Sequence, residues 1–242
     1  MHRSLEAASV VVVGGSSGIG LACVRQALAE GARVHVGSRS EARWRAADGD
    51  GALGAAQWSA VDVQDPASLE RLCAAAAPID LLLLVATGTE RAMGPFMDMD
   101  PEGFRRSFGK LWGYCNSVRA GVPHMAAQGA IVMVGGAVAR KCPPGMIAVS
   151  SVGNAIEGFC RALAVEIAPI RVNVVAPGLI DTPMFAHVPE AQREAMFATR
   201  ASTLPLGRVG RPEEVADAIL AVATNGYMTG TTVDVDGGSL LP

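Results

Sequence analysis

Near the start of the chain, the run Val13-Gly14-Gly15-Ser16-Ser17-Gly18-Ile19-Gly20 sets glycines in a G-x-x-x-G-x-G spacing. The apolar residues Val10 to Val13 before it read as a buried strand, and the residues after it open a helical pattern. Such a turn aims backbone amides and the positive end of a helix dipole at a pyrophosphate, and glycine lets the backbone come close to it. Gly14, Ser16, Ser17, Gly18, Ile19 and Gly20 are therefore candidate phosphate contacts. A glycine spacing alone is common, and its place between a strand and a helix makes it more specific. No paired carboxylates and no nucleophile–base motif compete with it elsewhere.

Positioning that turn requires an α/β framework. Apolar, β-branched segments at Val10–Val13, Val34–Val36, Leu81–Val85, Ile131–Val134, Val172–Val175 and Thr232–Val235 alternate with helical patterns, which predicts βαβ units. The expected fold is a doubly wound, mostly parallel sheet with helices on both faces, as one domain over residues 1–242. Asp65-Pro66, Asp100-Pro101 and Pro212 with Glu213 and Glu214 mark helix starts. Around 180–205 the strand pattern stops and Met184, Phe185, Val188, Met196 and Phe197 stand among prolines and charges, which predicts a lid-like segment.

Composition narrows the partners. A formal charge of −3, with acids and bases scattered along the chain, offers no basic surface for nucleic acid or anionic lipid. The apolar runs are far short of the roughly 20 residues that span a bilayer, and no signal-peptide pattern precedes the glycine turn, so a cytoplasmic location is expected. The five cysteines form no C-x-x-C pair and read as free thiols, and no metal site is predicted.

The glycine turn resembles that of the short-chain dehydrogenase/reductase family. The resemblance extends along the chain through Asp62-Val63, Asn173 to Pro177-Gly178, Leu206-Gly207-Arg208 to Val215-Ala216, and Met228-Thr229-Gly230 to Asp236-Gly237-Gly238. It implies that Asp62 and Val63 line an adenine pocket, and that Ile180 and Thr182 meet a nicotinamide carboxamide, with Thr182 as a mere loop cap the alternative. Pro177 and Gly178 fall beside them. The second strand ends Val36-Gly37-Ser38-Arg39, where NAD-preferring relatives carry an acid for the ribose hydroxyl. The guanidinium suits a 2′-phosphate, which favours NADP(H) over NAD(H) unless Arg39 is only a solvated surface residue. The family's asparagine-rich turn after the fourth strand is replaced by Val85-Ala86-Thr87-Gly88, with Ala86, Thr87 and Gly88 as candidate contacts. A homodimer or homotetramer is also implied.

The resemblance fails at the catalytic set. The family uses asparagine, serine, tyrosine and lysine, and those positions fall here on Lys110, Gly136, Val149 and Gly153. The missing tyrosine does not depend on register, because the chain holds only Tyr114 and Tyr227. Losing serine, tyrosine and lysine predicts a roomier, more apolar pocket. Lys110 and Lys141 are expected to border the site, and burial would bring an ammonium at Lys110 toward a useful pKa, the alternative being a solvated helix lysine. Tyr114 is expected to pack, and His124 and His187 show no obvious partner.

These residues leave three functions open. One is an NADP(H)-dependent oxidoreductase with an altered proton source, acting on an apolar carbonyl or alcohol among small-molecule substrates. Met93, Phe96, Met97, Met184 and Phe185 hint at that apolar substrate, though packing is the plainer explanation for them. The others are a cofactor-binding pseudoenzyme and a non-redox enzyme on the same fold.

Overall fold

Four consecutive valines can be buried on both sides only inside a covered sheet, and Val10 to Val13 are at most 1% exposed. The structure, a computed structural model, describes residues 4–49, 51–87 and 90–242. Its seven strands pair in the order β3-β2-β1-β4-β5-β6-β7, every pair parallel. They are β1 (Ser9–Val13), β2 (Arg33–Ser38), β3 (Gln57–Ala60), β4 (Ile79–Leu84), β5 (Met125–Val134), β6 (Arg171–Pro177) and β7 (Thr232–Val235). The helices are α1 (Gly18–Ala29), α2 (Glu41–Ala47), α3 (Pro66–Ala76), α4 (Pro101–Ser107), α5 (Gly109–Gly121), α6 (Ile147–Glu166), α7 (Glu190–Ala201) and α8 (Pro212–Thr224).

Alternation along the strands divides the core. Val10, Val12, Leu81 and Leu83 pack with Val24 and Ala27 of α1 and Val215 and Ile219 of α8. Val11, Val13, Leu82 and Leu84 pack instead with Leu69 and Leu72 of α3, Tyr114 and Val118 of α5, and Val152 and Ile156 of α6. Both layers anchor the carboxyl ends of β1 and β4, where the strand order reverses and a crevice opens.

The expected helix starts are present. Asp65 Oδ1 accepts from the Ala67 amide at 3.0 Å, and Asp100 accepts from the Glu102 and Gly103 amides at 3.1 and 2.9 Å. At α8 the Glu214 carboxylate accepts from the Arg211 amide at 2.8 Å. Strand β3 gave no apolar run because it lies at the sheet edge with no residue fully buried. The 180–205 segment forms a short 3-10 turn, Pro183–Phe185, and then α7, which buries none of its residues. Its rings Phe185 and Phe197 meet edge-on at 5.5 Å. Among the described residues no helix is long and apolar enough to cross a membrane, and the five cysteines are free.

Candidate active site

The β1–α1 turn is shaped by main-chain contact. Gly14 has φ +96°, and a Cβ there would lie 2.6 Å from the Ala86 amide, while a Cβ on Gly20 would overlap the Gly14 carbonyl. Neither position tolerates a side chain, so the loop stays tight enough for an anion to reach the amides that open α1. Gly14, Ser16, Ser17, Gly18, Ile19 and Gly20 all line one cleft of about 1450 Å³ at the carboxyl ends of the strands.

The remaining predicted contacts converge on this cleft. At the β2 side stand Ser38 and the exposed Arg39, with Arg43 of α2, a residue that sequence reasoning missed. The Ser38 hydroxyl already accepts from Trp58 Nε1 at 2.8 Å. Asp62 and Val63 follow β3, where the Val63 carbonyl accepts from the Asn116 side-chain amide at 3.0 Å. Ala86 and Thr87 lie beyond β4. Gly88 is outside the described residues.

On the β6 side the wall is formed by Pro177, Gly178, Ile180 and Thr182. A Cβ on Gly178 would come within 2.9 Å of Asp236 Cα, so this turn too is pressed against main chain. Thr182 Oγ1 is buried and, among the described residues, has no hydrogen-bond partner. Buried hydroxyls are nearly always satisfied, so one left open at a cleft wall points to an absent partner.

Gly136, Val149 and Gly153 line the same cleft beyond β5, but the three positions differ in ways the sequence did not foretell. A Cβ on Gly136 would meet only the Pro177 carbonyl, 4.0 Å away, so the space there is open. A Cβ on Gly153 would stand 2.8 Å from Ala139 Cβ. The 3-10 turn Ala137–Ala139 has docked on α6 at this point, with its Ala139 carbonyl accepting from Asn154 Nδ2 at 2.5 Å and Ser150 Oγ at 3.4 Å. The expected roomier pocket is thus corrected: it is open at Gly136 and closed at Gly153. Ala139 fills the space beside Gly153, the residue at which the resemblance implied the lysine position.

Lys110 enters this region from the first turn of α5. Its Nζ donates to the Gly135 carbonyl at 3.3 Å and lies 5.6 Å from the Tyr114 ring centroid. Burial, and secondarily the charge of Arg91, lowers its pKa to about 7. Tyr114 is a core residue whose hydroxyl donates to the Val134 carbonyl at 3.1 Å, and burial raises its pKa. His124, expected to have no obvious partner, pairs with Glu70 at 2.6 Å, and His187 Nδ1 lies 2.9 Å from the Met184 carbonyl.

The charges lining the cleft are lopsided. Arg39, Arg43, Arg91, Arg105, Arg106, Lys110, Lys141 and Arg200 face it against the carboxylates of Asp62 and Glu90. Sequence scatter hid this gathering, because the cations arrive from separate loops and helices. Of the five apolar residues expected to suit a substrate, Met184 and Phe185 line the cleft. Met93, Phe96 and Met97 are instead exposed on the surface at 63%, 58% and 89% and are not among its lining residues.

Known proteins resemble this architecture and sequence together. Residues 13–239 match the family model described as enoyl-(acyl carrier protein) reductase. The chain is 31% identical to the short-chain dehydrogenase/reductase ATR9 of Stachybotrys chlorohalonatus, over 98% of this chain and 99% of that protein. It is 33% identical to the 3-oxoacyl-(acyl-carrier-protein) reductase FabG of Thermotoga maritima, over 98% and 99%. Among solved structures, the NADPH-bound short chain oxidoreductase of Pseudomonas aeruginosa PAO1, described as containing an atypical catalytic center, superposes with a TM-score of 0.88 at 32% identity over 98% of each chain.

Proposed function

This chain belongs to the short-chain dehydrogenase/reductase family, and from that premise we propose that it is an NADP(H)-dependent oxidoreductase of carbonyl or alcohol groups with Lys110 as its proton source. The observation that carries this reading is that the glycine turn and the Lys110 ammonium wall one cleft.

The residues present fit the cofactor. Gly14, Gly18 and Gly20 keep the turn bare for a pyrophosphate at the start of α1. Arg39 and Arg43 can hold a 2′-phosphate, Asp62 and Val63 the adenosine end, and the unpartnered Thr182 hydroxyl the carboxamide. When bound, the nicotinamide supplies the hydride. NADPH is the ligand in the Pseudomonas relative, and the paired arginines support the same preference here.

Lys110 then replaces the tyrosine in function. A donor with a pKa of about 7 can yield a proton to a developing alkoxide near neutral pH and recover it from water. The Gly135 carbonyl orients the ammonium, and the open space beside Gly136 admits the reacting group. Val149, Met184 and Phe185 supply an apolar side to the substrate end, with the 180–205 segment as its lid. We expect a homodimer or homotetramer, supported by Trp112, 61% exposed on α5.

A second reading, a cofactor-binding protein without turnover, draws on the closure of the lysine position by Ala139. Calorimetric titration of nucleotide-free protein with NADPH and with NADH tests the cofactor site, and NADPH oxidation across ketones, quinones and enones tests turnover. Tight NADPH binding, weakened about tenfold or more by Arg39→Ala, supports the cofactor assignment. Binding without turnover on the whole panel selects the second reading.

A further inference from the structure

Arg91 and Lys110 face the same cleft, and their charges repel one another. The carboxylates that could offset them are engaged elsewhere. Glu90, the neighbour of Arg91 in the chain, is paired with Arg106, which also reaches Asp100 at 3.3 Å. Asp62 accepts from the Gln64 amide at 2.9 Å on the far side of the cleft, beyond β3. What Arg91 meets is the Met184 sulfur, 3.0 Å from its guanidinium and a weak acceptor. Lys110 meets one backbone carbonyl and the face of Tyr114, whose hydroxyl is committed to Val134. Among the described residues, neither cation has an ion pair.

Arg91 is exposed on the cleft wall with a weak acceptor as its side-chain partner, so its planar fork of donors stands open to the bidentate hold that a planar oxyanion offers. We propose that the substrate carries a carboxylate, received by Arg91 beside the carbonyl or hydroxyl that Lys110 serves, so that the enzyme works on oxo acids or hydroxy acids. The inference rests on the oxidoreductase reading for its chemistry, but the anion site stands on Arg91 and its surroundings alone. The same anion explains how two like charges can share one cleft: it offsets both, and its approach draws the proton onto Lys110. The apolar residues Met184 and Val149 would then contact the remainder of the acid rather than its charged end.

The probes are pyruvate and benzoylformate, each with its methyl ester, titrated calorimetrically into cofactor-free protein and into NADP⁺-saturated protein. At least one acid should bind at least about tenfold more tightly than its ester, the loss expected for a charged hydrogen-bond pair. Arg91→Gln should erase that difference and Arg91→Lys retain part of it, with thermal melting as the control for folding. Equal affinity of acid and ester, or no binding of either acid, overturns the proposal. So does an Arg91→Gln variant whose main defect is in NADPH affinity, since Arg91 would then be a cofactor phosphate ligand. Failure of NADPH itself to bind removes the oxidoreductase reading, and the acid titration into cofactor-free protein still decides the anion site.

Discussion

The two ends of the cleft are built from different material. At the β1–α1 turn the wall is main chain, with Gly14 against the Ala86 amide and Gly20 against the Gly14 carbonyl. At the β5–α6 end the wall is side chains and the spaces between them, with Lys110 at the Gly135 carbonyl, open space at Gly136 and Ala139 packed on Gly153. A site made of backbone has few substitutes, because only glycine meets its steric demand. A site made of side chains can lose its usual members and be rebuilt from others. On the reading proposed above, that difference is how one cleft can keep a phosphate loop while its catalytic positions change.

The sharpest test of the backbone end is Gly20→Ala, the largest effect expected. The new methyl would overlap the Gly14 carbonyl, and neither atom is the end of a flexible side chain that could yield. NADPH binding should fall below calorimetric detection, about 100-fold or more, or the protein should melt early. Retained binding in a folded variant would mean that the turn is not held by this contact.

At the side-chain end the corresponding test is Lys110→Met, which keeps bulk and removes the proton. Turnover should fall about 10²- to 10⁴-fold, the range for losing a general acid, while NADPH affinity changes little. The pH dependence has a definite sign. The ammonium is the acid, so wild-type carbonyl reduction should be full below the Lys110 pKa of about 7 and fall as pH rises through it, with alcohol oxidation moving oppositely. Because the folded pKa lies below the usual 10.5, the unfolded chain binds the extra proton between about 7 and 10.5. Wild-type stability relative to the Met variant should therefore rise with pH across that window. A flat pH profile for reduction would remove Lys110 from the proton path.

The same division governs what the sequence reveals. The phosphate turn is legible because backbone approach demands glycine at fixed spacing, and the helix starts at Asp65 and Asp100 are legible because a cap acts over two or three residues. Strand β3 was not, since an edge strand carries half-exposed residues without an apolar run. Arg91 and Arg43 were equally hidden, for a loop or helix surface arginine bears no local mark of the cleft it will face. The docking of Ala139 on Gly153 depends on how closely a turn approaches a helix, a distance that no spacing pattern encodes. That glycine, valine and glycine stand at 136, 149 and 153 could be read from residue identities alone. The state of the space left behind could not.

Gly153→Ala and Gly136→Ser, the smallest effects, probe that space directly. In a free helix, alanine for glycine gains about 1 kcal/mol, yet at Gly153 the methyl meets Ala139 Cβ at 2.8 Å, both atoms rigid on their backbones. Overpacking of this kind costs about 1–3 kcal/mol, so a net loss of up to about 2 kcal/mol is expected in denaturant unfolding. Gly136, by contrast, has φ 170°, extended backbone open to any residue, and nothing nearer than 4.0 Å to a new Cβ. Gly136→Ser should therefore leave unfolding within about 0.5 kcal/mol of wild type. If both variants prove equally benign, the turn at Ala137–Ala139 can yield, and the lysine position is vacant rather than closed. If Gly153→Ala alone is costly, Ala139 closes the space at Gly153, and on the reading proposed above a lysine could not be set there without moving the Ala137–Ala139 turn.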